Sequence, residues 1–322
     1  MHGISWAAFV IFMAAAPIPA TAQTFPSKVV RLVVPFPAGG SNDVVARAMA
    51  PTLSQAFGQS VIVENRAGAN TLIGTEAVVR APADGHTVLI AGFTMASMTA
   101  LRTKLSFEPL RDLAGVTRLG TQPFVLSVHP TLPSKNITEL IALARARPGQ
   151  LVYAVNGYGT AQHLSGELLK VKNRIDMKLV VFQGGAPSTI AVLGGHASVL
   201  ISTVVPILQH VSSGKLRALA VTSAVRSTLL KDVPTMMESG QADFDLSGAM
   251  GVFAPAATPR PALERFNAEV TRALNMPEVR DGMLRDGFVV SPVGLAEFDA
   301  FMRAKVQQIQ AIAKAANLKT DY

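Results

Sequence analysis

The chain lacks cysteine altogether and contains one tryptophan, three tyrosines and six histidines among its 322 residues. Without cysteine it can form neither a disulfide nor a thiolate metal site, and it has no cysteine nucleophile. The histidines show no metal-ligand spacing, and the sequence holds no G-x-S-x-G elbow, no H-E-x-x-H and no G-x-x-x-x-G-K-[ST] loop. We therefore expect no metal, no cofactor and no common catalytic machinery.

Negative charge is also scarce, since 29 lysines and arginines exceed 21 aspartates and glutamates and give a formal charge of +8. The basic residues are scattered, and the densest groups, Arg145/Arg147 and Lys170/Lys172/Arg174, are interrupted by other residues. No stripe combines basic with aromatic residues, which argues against nucleic acid as a partner. A positive net field instead favours encounter with small anions.

Long apolar runs are missing beyond the first residues. Residues 1–22 contain an apolar run too short for a comfortable membrane span and end in Ala20-Thr21-Ala22, a small-x-small pattern. This predicts a signal peptide cleaved near Ala22 and a periplasmic protein. Because the segment before the apolar run has no lysine or arginine, a misassigned start codon and an uncleaved anchor are the alternatives. The remaining chain is long enough for two domains.

A short apolar strand over Val29–Val34 breaks into a proline- and glycine-containing loop, Phe36–Gly40. Apolar residues at helical spacing follow, and Ser41 or Asn42 can cap that helix. Free backbone N–H groups at a helix N-terminus, beside the carboxyl end of a strand, form a ready-made site for an anion. The alternative is an ordinary strand-to-helix turn.

The same pattern recurs, though not in sequence. Strand Leu151–Val155 is followed by the loop Asn156–Thr160 and a helix over Ala161–Lys172. Further strands are predicted over Ser60–Glu64, Thr87–Ile90, Phe124–His129, Leu179–Phe182, Ala197–Ile201 and Leu216–Val221, and further helices over Thr75–Arg80, Asn136–Arg147, Arg260–Leu274, Glu278–Asp286 and Leu295–Ala316. Strands that alternate with helices predict mainly parallel α/β sheets.

Two segments are predicted to carry the chain between domains. The first lies near Leu119–Pro123, and the second, Met250–Pro259, returns the chain. We expect a first domain from 23–122 plus 251–322 and a second from 123–250. The two glycine loops would then face one another across a cleft.

Four side chains near these loops could meet a ligand, but each has a structural alternative. His163 can hydrogen-bond the loop that precedes it, which we favour, and Asp43 can complement the helix dipole, which we also favour. Ser41 and Thr160 combine a hydroxyl with an N-terminal helix position and are the better contact candidates, and capping of the helix is the alternative for both.

The order and spacing of several short segments resemble the substrate-binding receptors of tripartite tricarboxylate transporters, also called Bug proteins. The matching segments are PFPAGG at 35–40 with Asp43, ENRAGA at 64–69, PADGH at 82–86, AVNGYGTAQHL at 154–164, QGGAP at 183–187, LGG at 193–195, GKLRALAVTS at 214–223, VPT at 233–235 and APAATP at 254–259. Each is unspecific alone, but together they cover nearly the whole mature chain.

The resemblance implies a two-domain periplasmic binding protein (type II-like), in which two lobes close on a small organic carboxylate. It implies that the two glycine loops hold the carboxylate through backbone amides, hydroxyls and ordered water. It also implies membrane permease subunits as partners and a non-enzymatic, monomeric receptor. The residues expected to bind the ligand are Phe36, Ala38, Gly39, Gly40, Ser41, Asp43, Gly68, Ala69, Thr94, Asn156, Gly157, Gly159, Thr160, His163 and Ser202.

The chain departs from the family pattern at three positions. Ser198 and Ser202 stand where relatives commonly have aspartate, and Ala249 stands where many have tryptophan. Loss of a carboxylate beside the cleft argues against a ligand whose ammonium must be paired. A smaller residue at 249 predicts a roomier pocket or hinge.

Two other functions compete with transport. The same receptor could present its closed form to a sensor protein. An exported enzyme acting on a carboxylate or ester would need a nucleophile and base that the sequence does not provide.

Overall fold

A computed structural model describes residues 25–69, 71–102 and 104–318. The predicted signal peptide, residues 1–22, lies outside the described residues. The strands are β1 (Val30–Val34), β2 (Val61–Asn65), β3 (Thr87–Gly92), β4 (Leu113–Gln122), β5 (Phe124–Val128), β6 (Val152–Val155), β7 (Lys178–Val181), β8 (Val199–Thr203), β9 (Arg217–Val221), β10 (Gly248–Pro255) and β11 (Val289–Val290).

The helices flank these strands. They are α1 (Ser41–Phe57), α2 (Leu72–Val79), α3 (Phe93–Leu101), α4 (Pro109–Asp112), α5 (Ile137–Ala146), α6 (Ala161–Asn173), α7 (Gly185–Leu193), α8 (Leu208–Ser212), α9 (Arg260–Asn275), α10 (Pro277–Arg285) and α11 (Leu295–Ala315). Among the described residues, no helix has the length and apolarity needed to cross a membrane.

The strands form two sheets. The first has the order β11-β4-β10-β3-β1-β2 and the second the order β7-β6-β8-β5-β9. Both sheets are mixed, so the expectation of mainly parallel sheets is wrong. β1 runs parallel to β2 and β3, and β6 runs parallel to β7 and β8, whereas the pairings of β4, β5, β9, β10 and β11 are antiparallel.

The antiparallel pairs follow from how the chain passes between the sheets. β4 leaves the first sheet and, after Pro123 alone, continues as β5 of the second. β10 brings the chain back, so it runs against β4 and β3. The two passages touch, because the Thr222 hydroxyl accepts a hydrogen bond from Phe124 N (3.2 Å) and donates one to Leu246 O (3.2 Å). The chain changes from one sheet to the other at these two passages. The domain bounds, 23–122 plus 251–322 and 123–250, stay a prediction.

The sheet cores explain why these segments form strands. Val30, Leu32, Val33 and Val34 of β1 are all at most 2% exposed, as expected of a β-branched strand covered on both faces. Helix α11 packs against α3 and α6, which follow strands of different sheets. Its buried Lys305 donates through Nζ to Asp245 O (3.0 Å), which anchors α11 to the segment just before β10.

Candidate functional site

A cavity of about 540 Å³ opens where the two sheets meet. Its size lies in the range usual for small-molecule sites, about 300–1,000 Å³. Both sheets and the passages between them contribute to it. The lining residues are Phe36, Pro37, Gly40, Ser41, Asn42, Gly92, Phe93, Thr94, Gln122, Phe124, Asn156, Thr160, Ala161, Gln162, Thr203, Gly248, Ala249, Met250 and Phe288.

Three helices begin at this cavity. The residues that precede their first turns, Gly40 before α1, Gly92 before α3 and Thr160 before α6, all line it. These helices follow β1, β3 and β6 closely, so each start lies near the carboxyl end of a strand. The first N–H groups of a helix have no partner within it and carry partial positive charge. The arrangement therefore concentrates three such helix ends around one space.

Among the residues that the structure describes, the lining contains no aspartate, glutamate, lysine, arginine or histidine. Its polar side chains are neutral hydroxyls and amides: Ser41, Asn42, Thr94, Gln122, Asn156, Thr160, Gln162 and Thr203. An anion entering here would be met by neutral donors and helix ends without an opposing carboxylate on the lining. A cation would find no carboxylate on it.

Within the described part of the chain, two buried polar atoms of the lining lack a hydrogen-bond partner: Thr94 Oγ1 and Asn156 Oδ1. Buried polar atoms in folded proteins nearly always have a partner, whether from the protein, water or a ligand. These two lie on the α3 side and the α6 side of the cavity. A water or a ligand group could donate to Asn156 Oδ1, and a ligand oxygen could accept from the Thr94 hydroxyl.

The Phe36–Gly40 loop is held by a buried carboxylate. Asp43 accepts hydrogen bonds from Gly39 N (2.9 Å), Arg47 Nε (3.0 Å) and Asn65 Nδ2 (2.9 Å), and Asn65 Nδ2 also donates to Phe36 O (3.2 Å). Arg47 is the main cause that lowers the pKa of Asp43 to about 2, against the opposing effect of burial. Asp43 thus holds the Phe36–Gly40 loop in place through its hydrogen bonds.

The prediction that Ser41 or Asn42 caps α1 is wrong. Gly40 precedes the helix, no side chain caps it, and Ser41 and Asn42 already lie within the first turn. Asp43, the third residue of α1, accepts a hydrogen bond from Gly39 N instead, so its carboxylate holds the loop before the helix. The hydroxyl and amide at 41 and 42 both line the cavity.

The Asn156–Thr160 loop is held by hydrogen bonds of its own. Thr160 Oγ1 accepts from His163 N (3.3 Å) and donates to Gly157 O (2.8 Å), which makes Thr160 the cap of α6. His163 Nδ1 accepts from Gly159 N (3.1 Å). The loop is also joined to α3, because the Ser97 hydroxyl donates to Gly159 O (2.6 Å).

His163 is fully buried behind this loop. Burial lowers its pKa to about 4, with the Glu167 carboxylate opposing and the Lys170 ammonium assisting the change. Glu167 accepts from the Tyr153 hydroxyl and from Lys170 Nζ (2.9 Å), and burial beside this carboxylate raises the pKa of Tyr153. These contacts agree with the structural role favoured for His163, because its ring accepts a hydrogen bond from the loop that precedes it.

Six of the predicted site residues line the cavity: Phe36, Gly40, Ser41, Thr94, Asn156 and Thr160. The others do not, and are Ala38, Gly39, Asp43, Gly68, Ala69, Gly157, Gly159, His163 and Ser202. Ser202 is displaced because successive strand residues face opposite ways: its hydroxyl donates to Thr203 O (2.9 Å), and Thr203 is the residue that lines the cavity. Gly157 and Gly159 belong to the loop itself, where Gly157 O accepts from Thr160 Oγ1 and Gly159 N donates to His163 Nδ1.

Sequence reasoning missed much of the lining. Ala161 and Gln162 could have been found, since they start a helix already assigned to the site. Phe124, Gly248, Met250 and Phe288 carry no local signal, because only the passages between the sheets bring them to the cavity. Among the described residues, no three histidines, aspartates or glutamates are grouped as metal ligands would be.

Comparison with known proteins places this geometry in a family. A family model described as the tripartite tricarboxylate transporter family receptor matches residues 45–318. The chain belongs to this family. It is 37% identical to BugT of Bordetella pertussis over 281 residues, which cover 86% of each chain.

Solved structures agree with the assignment. The Rhodopseudomonas palustris protein Rpa4515, solved with adipate, is 29% identical with a TM-score of 0.78, and the match covers 92% of this chain and 99% of the other. MatC of the same organism, solved with bound malate, is 28% identical with a TM-score of 0.75 and covers 89% and 99%. The receptor is therefore a two-lobed, extracytoplasmic solute-binding protein and not an enzyme.

Proposed function

We propose that the receptor captures a small organic carboxylate between its two lobes and delivers it, as an exported monomer, to a membrane transporter of the tripartite tricarboxylate type. The lobes are the parts of the chain built on the first and the second sheet. Cleavage near Ala22 would release the mature protein, and N-terminal sequencing of the exported form tests that part.

The observation that carries the proposal is the meeting of three helix N-termini, those of α1, α3 and α6, at one cavity without charged lining residues. Helix ends and neutral donors stabilise a carboxylate, and their hydrogen bonds strengthen when lobe closure excludes water. The buried Thr94 hydroxyl can donate to a carboxylate oxygen, while Asn156 Oδ1, an acceptor, can be met by a bound water or a ligand hydroxyl. Phe36, Gly40, Ser41 and Thr160 complete the proposed contacts on the lining.

The lining also limits the ligand. It holds no carboxylate that could pair with an ammonium group, and burying an unpaired charge is costly. We therefore infer an acid without a cationic group. The relatives crystallised with adipate and malate, both acids of this kind, support the inference.

The family and the architecture support delivery to a transporter. Closure of two lobes around a ligand gives the loaded receptor a shape that differs from the empty one, and a membrane partner can recognise that difference. Uptake of the labelled acid by cells with and without this receptor tests delivery. Equal uptake in both would contradict it.

Binding itself is tested by thermal unfolding of protein refolded from denaturant, which strips any retained ligand. Adipate, malate and phenylacetate are compared with phenylacetamide, glutamate and a neutral sugar. A ligand at about 100 times its dissociation constant adds roughly 2.7 kcal/mol to the free energy of unfolding, a shift of several degrees. Stabilisation by an acid but not by its amide supports the proposal; stabilisation by glutamate or sugar alone contradicts it.

A further inference from the structure

The floor of the cavity differs from its walls. The walls are the three helix starts with their hydroxyls and amides, whereas the floor is built from the strands that pass between the sheets. It includes Phe124 at the start of β5, Ala249 and Met250 in β10, and Phe288 just before β11. Its chemistry is therefore largely apolar.

The floor residues come from neighbouring strands. Gly248 pairs with Gln122, and Ala249 pairs with Thr121, whose other neighbour is Val289 of β11. A Cβ placed on Gly248 would stand 2.9 Å from Phe124 Cζ, so the phenylalanine ring lies directly against the start of β10. Phe288 precedes Val289 and belongs, with Met250, to the apolar core of the first sheet.

The amide of Gln122 does not make this floor strongly polar. Its Nε2 donates to Asp286 O (2.9 Å), so the amide is tied to the chain next to Phe288. Ala249 is half-buried and has the smallest side chain on the floor apart from glycine, while Phe124 and Phe288 are each 5% exposed. The floor thus contains two nearly buried phenylalanine rings, and the cavity is open above the small side chain of Ala249.

We propose that the floor is the subsite for an apolar carbon body, that an aromatic ring is the body it fits, and that Ala249 sets the space available to that ring. This rests on the proposed function, since the carboxylate of the same ligand occupies the helix starts. Rings pack favourably against phenylalanine edges and faces. A second carboxylate or several hydroxyls on this floor would lose hydration without matching partners.

The test compares phenylacetate with malate by calorimetric titration of the refolded, stripped protein. We expect phenylacetate to bind at least tenfold more tightly than malate. Ala249→Leu fills the space and should weaken phenylacetate at least fivefold, with less than a twofold change for malate. Ala242→Leu is the matched control, because Ala242 is exposed and lies outside the cavity lining.

A second variant distinguishes loss of the subsite from misfolding of the protein. Phe288→Leu removes ring contact without filling space, and should also weaken phenylacetate but not malate; unfolding of each empty variant checks its fold. Tighter binding of malate than phenylacetate, or unchanged phenylacetate binding in both variants, overturns the subsite and leaves carboxylate capture intact. Failure of every acid to bind, or equal binding of phenylacetamide, overturns the proposed function itself.

Discussion

The hydroxyl of Ser97 donates a hydrogen bond of 2.6 Å to the carbonyl oxygen of Gly159, and both residues line a small pocket that shares Thr94 and Thr160 with the ligand cavity. Ser97 belongs to α3, on the first-sheet side, and Gly159 to the loop before α6, on the second-sheet side. This bond ties two of the three helix starts together. The hydrogen bond therefore couples the relative position of the two lobes to the geometry of the ligand cavity.

Loss of that link should weaken ligand binding. Ser97→Ala is expected to lower affinity about two- to tenfold, since a net hydrogen bond contributes about 0.5–1.5 kcal/mol. Calorimetric titration with the most stabilising acid of the panel measures it. Thr99→Ala is the control, because Thr99 Oγ1 donates to Met95 O within the same helix (2.9 Å). Equal effects of the two changes would contradict a role for the link between lobes.

Asp43 should stabilise the receptor far more than an exposed helix carboxylate does. Asp43→Ala breaks the bonds to Gly39 N, Arg47 and Asn65 and should lower the free energy of unfolding by about 2–3 kcal/mol. Glu264→Ala, which removes an exposed partner of Arg260, should cost less than about 0.5 kcal/mol. Urea unfolding of both variants decides the comparison.

Asp43 also predicts a response to acid. Its pKa in the folded state is about 2, below the ordinary value of 3.8, so its contribution is present above about pH 4 and is lost as pH falls towards 2. Asp43→Asn should flatten this part of the stability profile. A wild-type slope retained in the variant would assign the acid sensitivity to other groups.

His163 predicts a separate response at higher pH. Its pKa falls from 6.5 to about 4 on folding, because burial disfavours the charged ring despite Glu167 nearby. The unfolded chain binds the proton first, so stability is full above pH 6.5 and declines as pH falls towards 4, by at most about 1.4 kcal/mol per unit. Unfolding of wild type and His163→Gln between pH 7 and pH 4 measures it, and a slope unchanged in the variant would contradict it.

The sequence predicts the fold where local pattern and tertiary structure agree. The apolar run of β1 and the cap at Thr160 both act within a few residues, and the structure has these elements close to their expected bounds. β4 and β10 were missed as strands, because their pairing with each other is defined only by the two passages between sheets. Helix α3, which begins directly after β3, was not among the predicted helices.

The site divides in the same way. Phe36, Ser41, Asn156 and Thr160 were found because a glycine loop before a helix is visible in a few residues. Phe288 could not be found, since its neighbours at the cavity come from β4, β5 and β10, far away along the chain. Asp43 and His163 were expected among the ligand-binding residues but do not line the cavity, and they accept hydrogen bonds from backbone N–H groups of the two loops.

Close packing of β3 against β10 predicts one glycine that cannot be replaced. A Cβ on Gly92 would stand 1.6 Å from Ala249 O, so Gly92→Ala should destabilise the receptor by about 3 kcal/mol or more. Gly185→Ala is the matched control, since no atom lies within 4 Å of its Cβ position, and should change stability by less than about 1 kcal/mol. Similar melting temperatures for the two variants would contradict this packing.

The most direct measurement is calorimetric titration of Thr94→Val with the most stabilising acid, beside Thr99→Val. Valine replaces the unpartnered Thr94 hydroxyl with a group of similar shape, so the fold should keep its stability within about 0.5 kcal/mol. If that hydroxyl binds a carboxylate in the cavity, affinity falls about tenfold or more in Thr94→Val and stays unchanged in Thr99→Val. Unchanged affinity in Thr94→Val would contradict carboxylate capture at this cavity.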